Sequence, residues 1–512
     1  MKMNKIKNFF NTHFNLSVFL ILTIVAFSLY GKTIFFDWSY LDDDVLILDR
    51  LDYLKFSNIK NIFCDTVFSQ GGQDKFCRPL LNISFTLDNF VYNTKPFGYH
   101  LTNILIHLFT SFLMFFLLSK YYDKQKTFLI VLLFVVHPSI TQAVAWVPGR
   151  NDSLLALFSV LSFLFLHYYI NNKKFYYFLL YVLSFACVLL IKETAILLPI
   201  FYMFYLYLKK CTKKQYQYVI ISSILIIVIY LIYRHFILQY QTFSLSFRFL
   251  LNNILYSFPI ITKYIANICC PFQLSVFVSQ VQVYYLLSVG SILILVLFSL
   301  FLKVKFNLKI LFGISWFLLF LIPPFVMPSN QFYDHRIYLP LIGIVIILEE
   351  IIKNMKFNKK FFIPFFLFFI VFFMISYFHS DKFKNKEVFW VSAYIDSPNS
   401  AVTNSRVADL LTDSGHYDEA IKKYLKAIEI EKHSRYFVNL SVCYIRMGNL
   451  DEAEKALLYA LSLRQDNPTI YYNLANIYKY KGEIERAKEM KYWYIKVFND
   501  TNKNKKPLDI NL

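Results

Sequence analysis

The hydrophobic positions of this chain fall in blocks and do not alternate. Apolar runs with almost no charge occupy about residues 14–31, 99–119, 127–147, 153–170, 175–191, 194–208, 217–238, 284–302, 308–327, 337–352 and 361–379. Most approach the ~20 residues that an α-helix needs to cross a hydrocarbon layer of ~30 Å. A membrane barrel would instead show ~10-residue strands alternating polar and apolar positions. The pattern predicts an all-α, polytopic domain of about eleven spans. After about residue 380 the blocks stop and charge rises.

From Ala401 a different periodicity begins. Gly415, Gly448 and Gly482 are 33 and 34 residues apart, Ala420, Ala453 and Ala487 keep the same intervals, and Ala427 and Ala460 follow them. A period near 34, with Gly at the turn between two helices and Ala where the helices touch, predicts a tetratricopeptide-repeat α-solenoid. Tyr471, Leu474, Ala475 and Tyr478 form one helical face of the third unit. Lys491 and Tyr494 replace apolar or small residues of the earlier units and predict a polar terminal cap. The chain therefore divides into a membrane domain (1–380), a linker (381–400), three repeats (401–500) and a polar tail (501–512). The repeats either display a concave surface for a peptide or protein partner, or are the minimum stable solenoid.

Composition sharpens this. The chain is 57% hydrophobic and 17% charged, against about 25% charged in soluble domains, which excludes a soluble globular, disordered or disulfide-rich secreted protein. The net charge of +20 would suggest nucleic acid if it were clustered on a groove, but it is not. Lysines gather in every second connection, at 120–126, 173–174, 209–214, 303–309 and 353–360. By the positive-inside rule these face the cytoplasm with the N-terminus, and the repeats lie outside. The block Phe249–Ile268 contains Asn252, Asn253, Pro259, Lys263 and Asn267. Crossing there would reverse every later lysine cluster, so the segment is expected to lie at, or re-enter from, the outer interface. The basic start and long first block read as an uncleaved first helix. With no retention signal, this favours a bacterial plasma membrane. Seven cysteines show no metal-ligand spacing, and Cys64 and Cys77 share a polar external loop in which they could pair.

Candidate chemistry sits at the outer ends of the spans. Asp42-Asp43-Asp44 follows the first block. Three adjacent carboxylates raise one another's proton affinity. Such a cluster suits a general base that accepts a hydroxyl proton, or oxygen ligands for a divalent cation; alternatively, it is a solvated turn. Arg78, Arg150, Lys192 (beside Glu193), Arg234 and Arg336 mark the same boundary. Guanidinium and ammonium groups converging at one level would hold a lipid phosphate, although each alone is also a plausible interfacial anchor. His137 precedes the helix-breaking Pro138 and is a candidate for phosphate or hydroxyl binding. No metal site is assigned.

In order, Asp43-Asp44, Arg78-Pro79-Leu80, His137-Pro138 with Ala143-Val144-Ala145, Gly149-Arg150-Asn151-Asp152-Ser153-Leu154, Lys192-Glu193-Thr194 and Arg336-Ile337-Tyr338-Leu339-Pro340, with repeats behind them, resemble the transmembrane and tetratricopeptide-repeat O-mannosyltransferase-like family of the GT-C superfamily. The resemblance implies inverting transfer of a sugar, mannose in eukaryotic members, from a polyprenyl phosphate to a Ser or Thr hydroxyl outside the cytoplasm. Asp43 and Asp44 match the acidic pair, one of them the base, and Asp42 leaves its register open. Arg78, His137, Arg150, Asp152, Lys192, Glu193, Arg336 and Tyr338 fall in the other motifs and are expected to bind substrate. Gln142 departs from the family, which often has Glu there. A lipid-linked sugar transporter and a non-catalytic scaffold displaying the repeats are the competing readings.

Overall fold

The computed structural model describes residues 13–67, 76–238, 247–272, 274–277, 289–293, 296, 300, 305–323, 333–355, 359–501 and 510. Regular structure among them is helical throughout. The chain forms two compact units, one of Met1–Val276 with Val281–Phe389, the other of Phe277–Gln280 with Trp390–Leu512.

The first unit contains α1 (Phe14–Tyr30), α2 (Pro79–Tyr92), α3 (Pro96–Leu118), α4 (Lys124–Val135), α5 (Arg150–Asn172), α6 (Phe175–Ile191), α7 (Leu198–Leu208), α8 (Lys213–Ile237), α9 (Phe247–Cys269), α10 (Leu308–Leu321), α11 (Tyr338–Ile352) and α12 (Lys359–Ser380). Local chemistry sets their ends. Proline opens α2 and α3, where its missing N–H goes unused and its φ suits a first helical turn. Asp123 caps α4 by accepting from the backbone of Gln125 and Lys126, and Thr212 with Gln215 forms a capping box on α8.

Five helical segments among the described residues are long and apolar enough to cross a membrane: Phe14–Phe35, Pro96–Leu118, Val147–Asn172, Lys213–Ile237 and Phe362–Phe383. The expected span 127–147 is broken, because Pro138 cannot continue α4. The chain resumes as Pro138–Ala145 at 54° to it. Three further apolar helices, Phe175–Ile191, Glu193–Leu208 and Leu308–Leu321, are shorter than a full crossing, and the block at 284–302 lies largely outside the described residues. Eleven uniform spans are therefore replaced by a mixture of full-length, bent and short helices. Bare apolar faces, such as Ile221, Ile224, Leu225 and Ile229 of α8, are exposed. In water these would form an adhesive patch, and a lipid environment accounts for them. The unit is a multi-pass membrane body.

Inside it, α5 packs along α6 and α3, and α10 along α11. The last pair meets backbone to backbone. A Cβ added at Gly343 would lie 2.4 Å from the Gly313 carbonyl oxygen, and one at Gly313 would lie 2.6 Å from that of Gly343. Small residues permit such approach between membrane helices. In α9, Thr262, Lys263, Tyr264 and Asn267 are buried; Lys263 pairs with Asp334 at 3.4 Å. The thiols of Cys64 (exposed) and Cys77 (buried) are both free, so the pairing considered for them is not formed. Cys77 instead meets the Tyr233 hydroxyl at 3.4 Å.

The second unit contains α13 (Ala401–Asp413), α14 (Tyr417–Ile430), α15 (Ser434–Arg446), α16 (Leu450–Leu463), α17 (Pro468–Tyr480) and α18 (Ile484–Thr501), stacked in antiparallel pairs. Gly415, Gly448 and Gly482 adopt φ of 81°, 79° and 78°, a region that other residues enter only with strain. Ala420, Ala427, Ala453, Ala460 and Ala487 are fully buried where helices touch. Two expectations change. The stretch 381–400 is not simply a linker but holds the helix Lys386–Asp396. Tyr494 is not a polar cap either, because it is buried with Tyr471, Ala475 and Ile510, and the Lys491 ammonium donates to the Ile510 carbonyl at 2.6 Å. Gly448→Val should destabilise this solenoid by about 1–2 kcal/mol. Hydrogen exchange in α15 and α16 of the full chain should accelerate while α3 and α5 exchange as before; unchanged exchange in α15 and α16 would contradict the strain argument.

Candidate active site

The acidic triplet ends a tight loop after α1. Tyr40 sits at φ 55°, and the one-turn helix Asp43–Leu46 begins within the triplet. Asp43 is 1% exposed. Its Oδ2 accepts from the Ser39 amide at 2.9 Å, the Tyr40 amide at 3.0 Å and the Ser39 hydroxyl. Its Oδ1 receives no hydrogen bond from a described residue. Burial pushes the Asp43 carboxyl up to about 7, the hydrogen bonds from Ser39 opposing this and the charges of Asp42 and Asp44 adding to it.

A chain of contacts leads from there into the bundle. Trp146 Nε1 donates to Ser39 Oγ at 3.0 Å. Its indole stacks on Tyr333, with ring centres 5.9 Å apart, and lies 5.4 Å from the His335 ring. His335 Nε2 is 3.6 Å from Asp152, and burial pushes the imidazole down to about 3, so it is neutral. Both Asp152 oxygens accept from the Lys192 ammonium at 2.7 Å. Arg78 donates through Nε and Nη2 to Glu193 at 3.2 and 3.0 Å. The Asn151 amide, in the orientation that satisfies both its neighbours, accepts from Arg78 Nη1 at 3.0 Å.

Arg336 stands within electrostatic reach of Asp152, Lys192 and Tyr333, and Asp42 also acts on Tyr333. The Arg336 guanidinium lies 5.4 Å from the Tyr333 ring centre, and its buried Nη1 has no hydrogen-bond partner among the described residues. The cluster thus holds three cations (Arg78, Lys192, Arg336) against two carboxylates (Asp152, Glu193), with the Arg336 Nη1 amino group left over, among the described residues, for an anion. Gln142 bridges two walls. Its Oε1 accepts from the His335 amide at 3.0 Å and its Nε2 donates to the Val276 carbonyl at 2.9 Å. A neutral amide can do both, whereas an ionised Glu can only accept.

Three expected substrate ligands are placed elsewhere. Arg150 has no exposed surface and spends its donors on Asp88 at 2.5 Å, Asn103 at 2.7 Å, the Tyr99 carbonyl at 2.8 Å and Ser84. His137 uses both ring nitrogens within the fold, Nε2 facing the Ile268 carbonyl at 3.1 Å and Nδ1 accepting from the Ser139 amide. The Tyr338 hydroxyl is taken by His107 at 2.6 Å. These three are corrected to internal ties, because a buried polar group takes its partners from its own fold. Ser39, Trp146, Tyr333 and His335 were not singled out in sequence; Trp146 and His335 carried one faint signal, adjacency to quoted motifs. Among the described residues no group of three or more His, Cys, Asp or Glu side chains is placed to hold a metal ion.

Residues 84–233 match the family described as dolichyl-phosphate-mannose-protein mannosyltransferase, and residues 403–433 and 444–482 match tetratricopeptide repeats. Human protein O-mannosyl-transferase TMTC2 is 35% identical over 154 residues, 28% of this chain and 18% of that protein. Mouse TMTC3 is 32% identical over 151 residues (29% and 16%), and Drosophila melanogaster Tmtc1 30% over 177 (34% and 20%). Over these stretches the chain is similar to the TMTC proteins. The matched stretches cover at most about a fifth of these curated relatives. The mannosyltransferase-type segment takes in Asp152, Lys192 and Glu193, while Asp42–Asp44, Arg78 and Arg336 lie outside it.

The raised affinity of Asp43 has a consequence for stability. Its folded value lies above the ordinary carboxylate value of 3.8, so the folded state binds the proton more tightly than the unfolded chain. That contribution is complete below about pH 4 and is lost as pH rises towards about 7. Opening of residues 37–50, followed by hydrogen exchange corrected for its intrinsic pH dependence, should therefore become easier across this window. Asp43→Asn should remove the slope, and a slope that persists in this variant would exclude Asp43 as its source.

Proposed function

We propose that the chain is a membrane glycosyltransferase of GT-C type, moving a sugar, mannose by analogy with its relatives' names, from a polyprenyl phosphate to a Ser or Thr hydroxyl of a protein on the extracytoplasmic side. The observation that carries this reading is a buried carboxyl of near-neutral affinity, Asp43, joined through Ser39 and Trp146 to a cation-rich cluster whose Arg336 Nη1 has no partner among the described residues.

In the proposed reaction Asp43 Oδ1 accepts the hydroxyl proton as the acceptor oxygen attacks the anomeric carbon. The bond from that carbon to the phosphate oxygen breaks, its electrons leave with the lipid phosphate, and the configuration inverts. Arg336 and the remaining N–H of Lys192 hold the phosphate, where charge grows as the bond breaks. An affinity near the working pH suits a general base. Asp42 and Asp44 keep that affinity high, and the tetratricopeptide repeats present the acceptor protein.

The test uses the purified full chain, a mannosyl polyprenyl phosphate and Ser/Thr peptides. Asp43→Asn should lower turnover by about 10²–10⁴-fold, and the native rate should climb with pH through about 7 as the carboxyl ionises. Arg336→Gln should weaken the donor's KM or kcat without changing the pH at which the rate rises. Sugar transfer that survives Asp43→Asn would remove the base; movement of the lipid-linked sugar across vesicles without transfer would favour a transporter.

A further inference from the structure

The first unit holds a concavity at the other end of the bundle. Asp152 lies in the first turn of α5 and His167 near its other end, about 22 Å apart at the helical rise. Around this far end opens a cavity of about 270 Å³, walled by Leu118, Val160, Phe163, Phe312, Trp316 and Ile342. It is almost wholly apolar, and its size, just under the usual range for ligand pockets, suits part of a hydrocarbon chain.

Its mouth is polar, fixed and basic. The hydroxyls of Tyr121 and Tyr205 bond to each other and to His167, which locks the rim. Lys209 and Lys309 line the same opening and feel one another's charge. The Lys209 ammonium lies 4.1 Å over the Tyr121 ring, and among the described residues it has no carboxylate partner. Glu350 does not supply one. It is already engaged by Lys309 at 3.0 Å, Lys353 at 2.5 Å, Tyr122 at 2.9 Å and Asn307 at 2.9 Å. Two lysines that repel each other above an apolar slot fit an amphiphile with an anionic head. Basic pockets between membrane helices bind anionic headgroups in this way.

We propose that this cavity is a site for an anionic glycerophospholipid, one acyl chain among Phe163, Phe312 and Trp316 and the headgroup phosphate against Lys209 and Lys309. The occupant is a resident lipid and not the sugar donor, because a headgroup held here is about 22 Å along α5 from Asp152. The site stands whether or not the transfer chemistry above is correct.

Tryptophan quenching tests it directly in the full-length protein, reconstituted with phospholipids brominated on the acyl chain. Brominated phosphatidylglycerol should quench more than brominated phosphatidylcholine. The excess should largely disappear in Trp316→Phe, and in Lys209→Glu, which lies just past the end of α7. Val160→Trp, which fills the slot, should also abolish the headgroup preference and serves if Trp316→Phe misfolds. Equal quenching by the two lipids, or a preference that survives Lys209→Glu, would overturn the site. So would displacement of the brominated phosphatidylglycerol by polyprenyl phosphate at lower concentration than by plain phosphatidylglycerol, since that would make the occupant the donor lipid.

Discussion

A guanidinium with no exposed surface has to find all its partners within the protein, and Arg150 does so by drawing three helices together. Asp88 of α2, Asn103 and the Tyr99 carbonyl of α3, and Ser84 of α2 surround it at the start of α5. Losing one partner of such a buried pair leaves an uncompensated charge, at a cost of about 3–5 kcal/mol. The geometry of the outer end depends on this tie. Two residues further along α5, Asp152 is delivered to Lys192 and His335, and Lys192 carries Glu193 towards Arg78. One saturated cation therefore sets the positions of the unsaturated ones.

The charges at this end divide the labour between holding and reacting. Arg78, Lys192, Asp152 and Glu193 largely satisfy each other, which removes most of the electrostatic penalty of burial. Arg336 retains a donor. On the other side of Trp146, Asp43 has one oxygen pinned by the loop and the other without a donor among the described residues. An aromatic wall of Trp146, Tyr333 and His335 separates the acidic and basic halves. It keeps a carboxylate and a guanidinium from collapsing into a salt bridge that would silence both.

Much of the scaffold was readable from period and composition alone. Among the described residues most apolar blocks became helices within a few residues of the expected bounds, α6 included, because lipid-facing surface demands continuous apolarity, while 127–147 broke and 308–327 ended early at Leu321. The repeat glycines were equally legible, since only one residue type enters positive φ without strain. Partner choice was not legible. Arg150 and Arg336 look alike as isolated arginines, and what distinguishes them is Asp88, 62 positions before Arg150 and without any local signal. Helix length was likewise hidden where Pro138 cuts an apolar block. Ser39 and Trp146 enter the site only because a tight turn and a bend bring them within 3.0 Å.

The contact of Gly313 with Gly343 bears on how a long-chain lipid could enter the bundle. Two backbones in direct touch have no side chains to slide or re-pack, so the seam between α10 and α11 admits no graded loosening; it is either closed or fully parted. The two helices therefore move as one plank, and Arg336, just before α11, travels with it. The proposed polyprenyl donor would have no doorway through that seam. Helices with bare apolar faces, such as α8 and α12, offer the opposite case, where displacing a lipid neighbour exchanges one hydrocarbon contact for another.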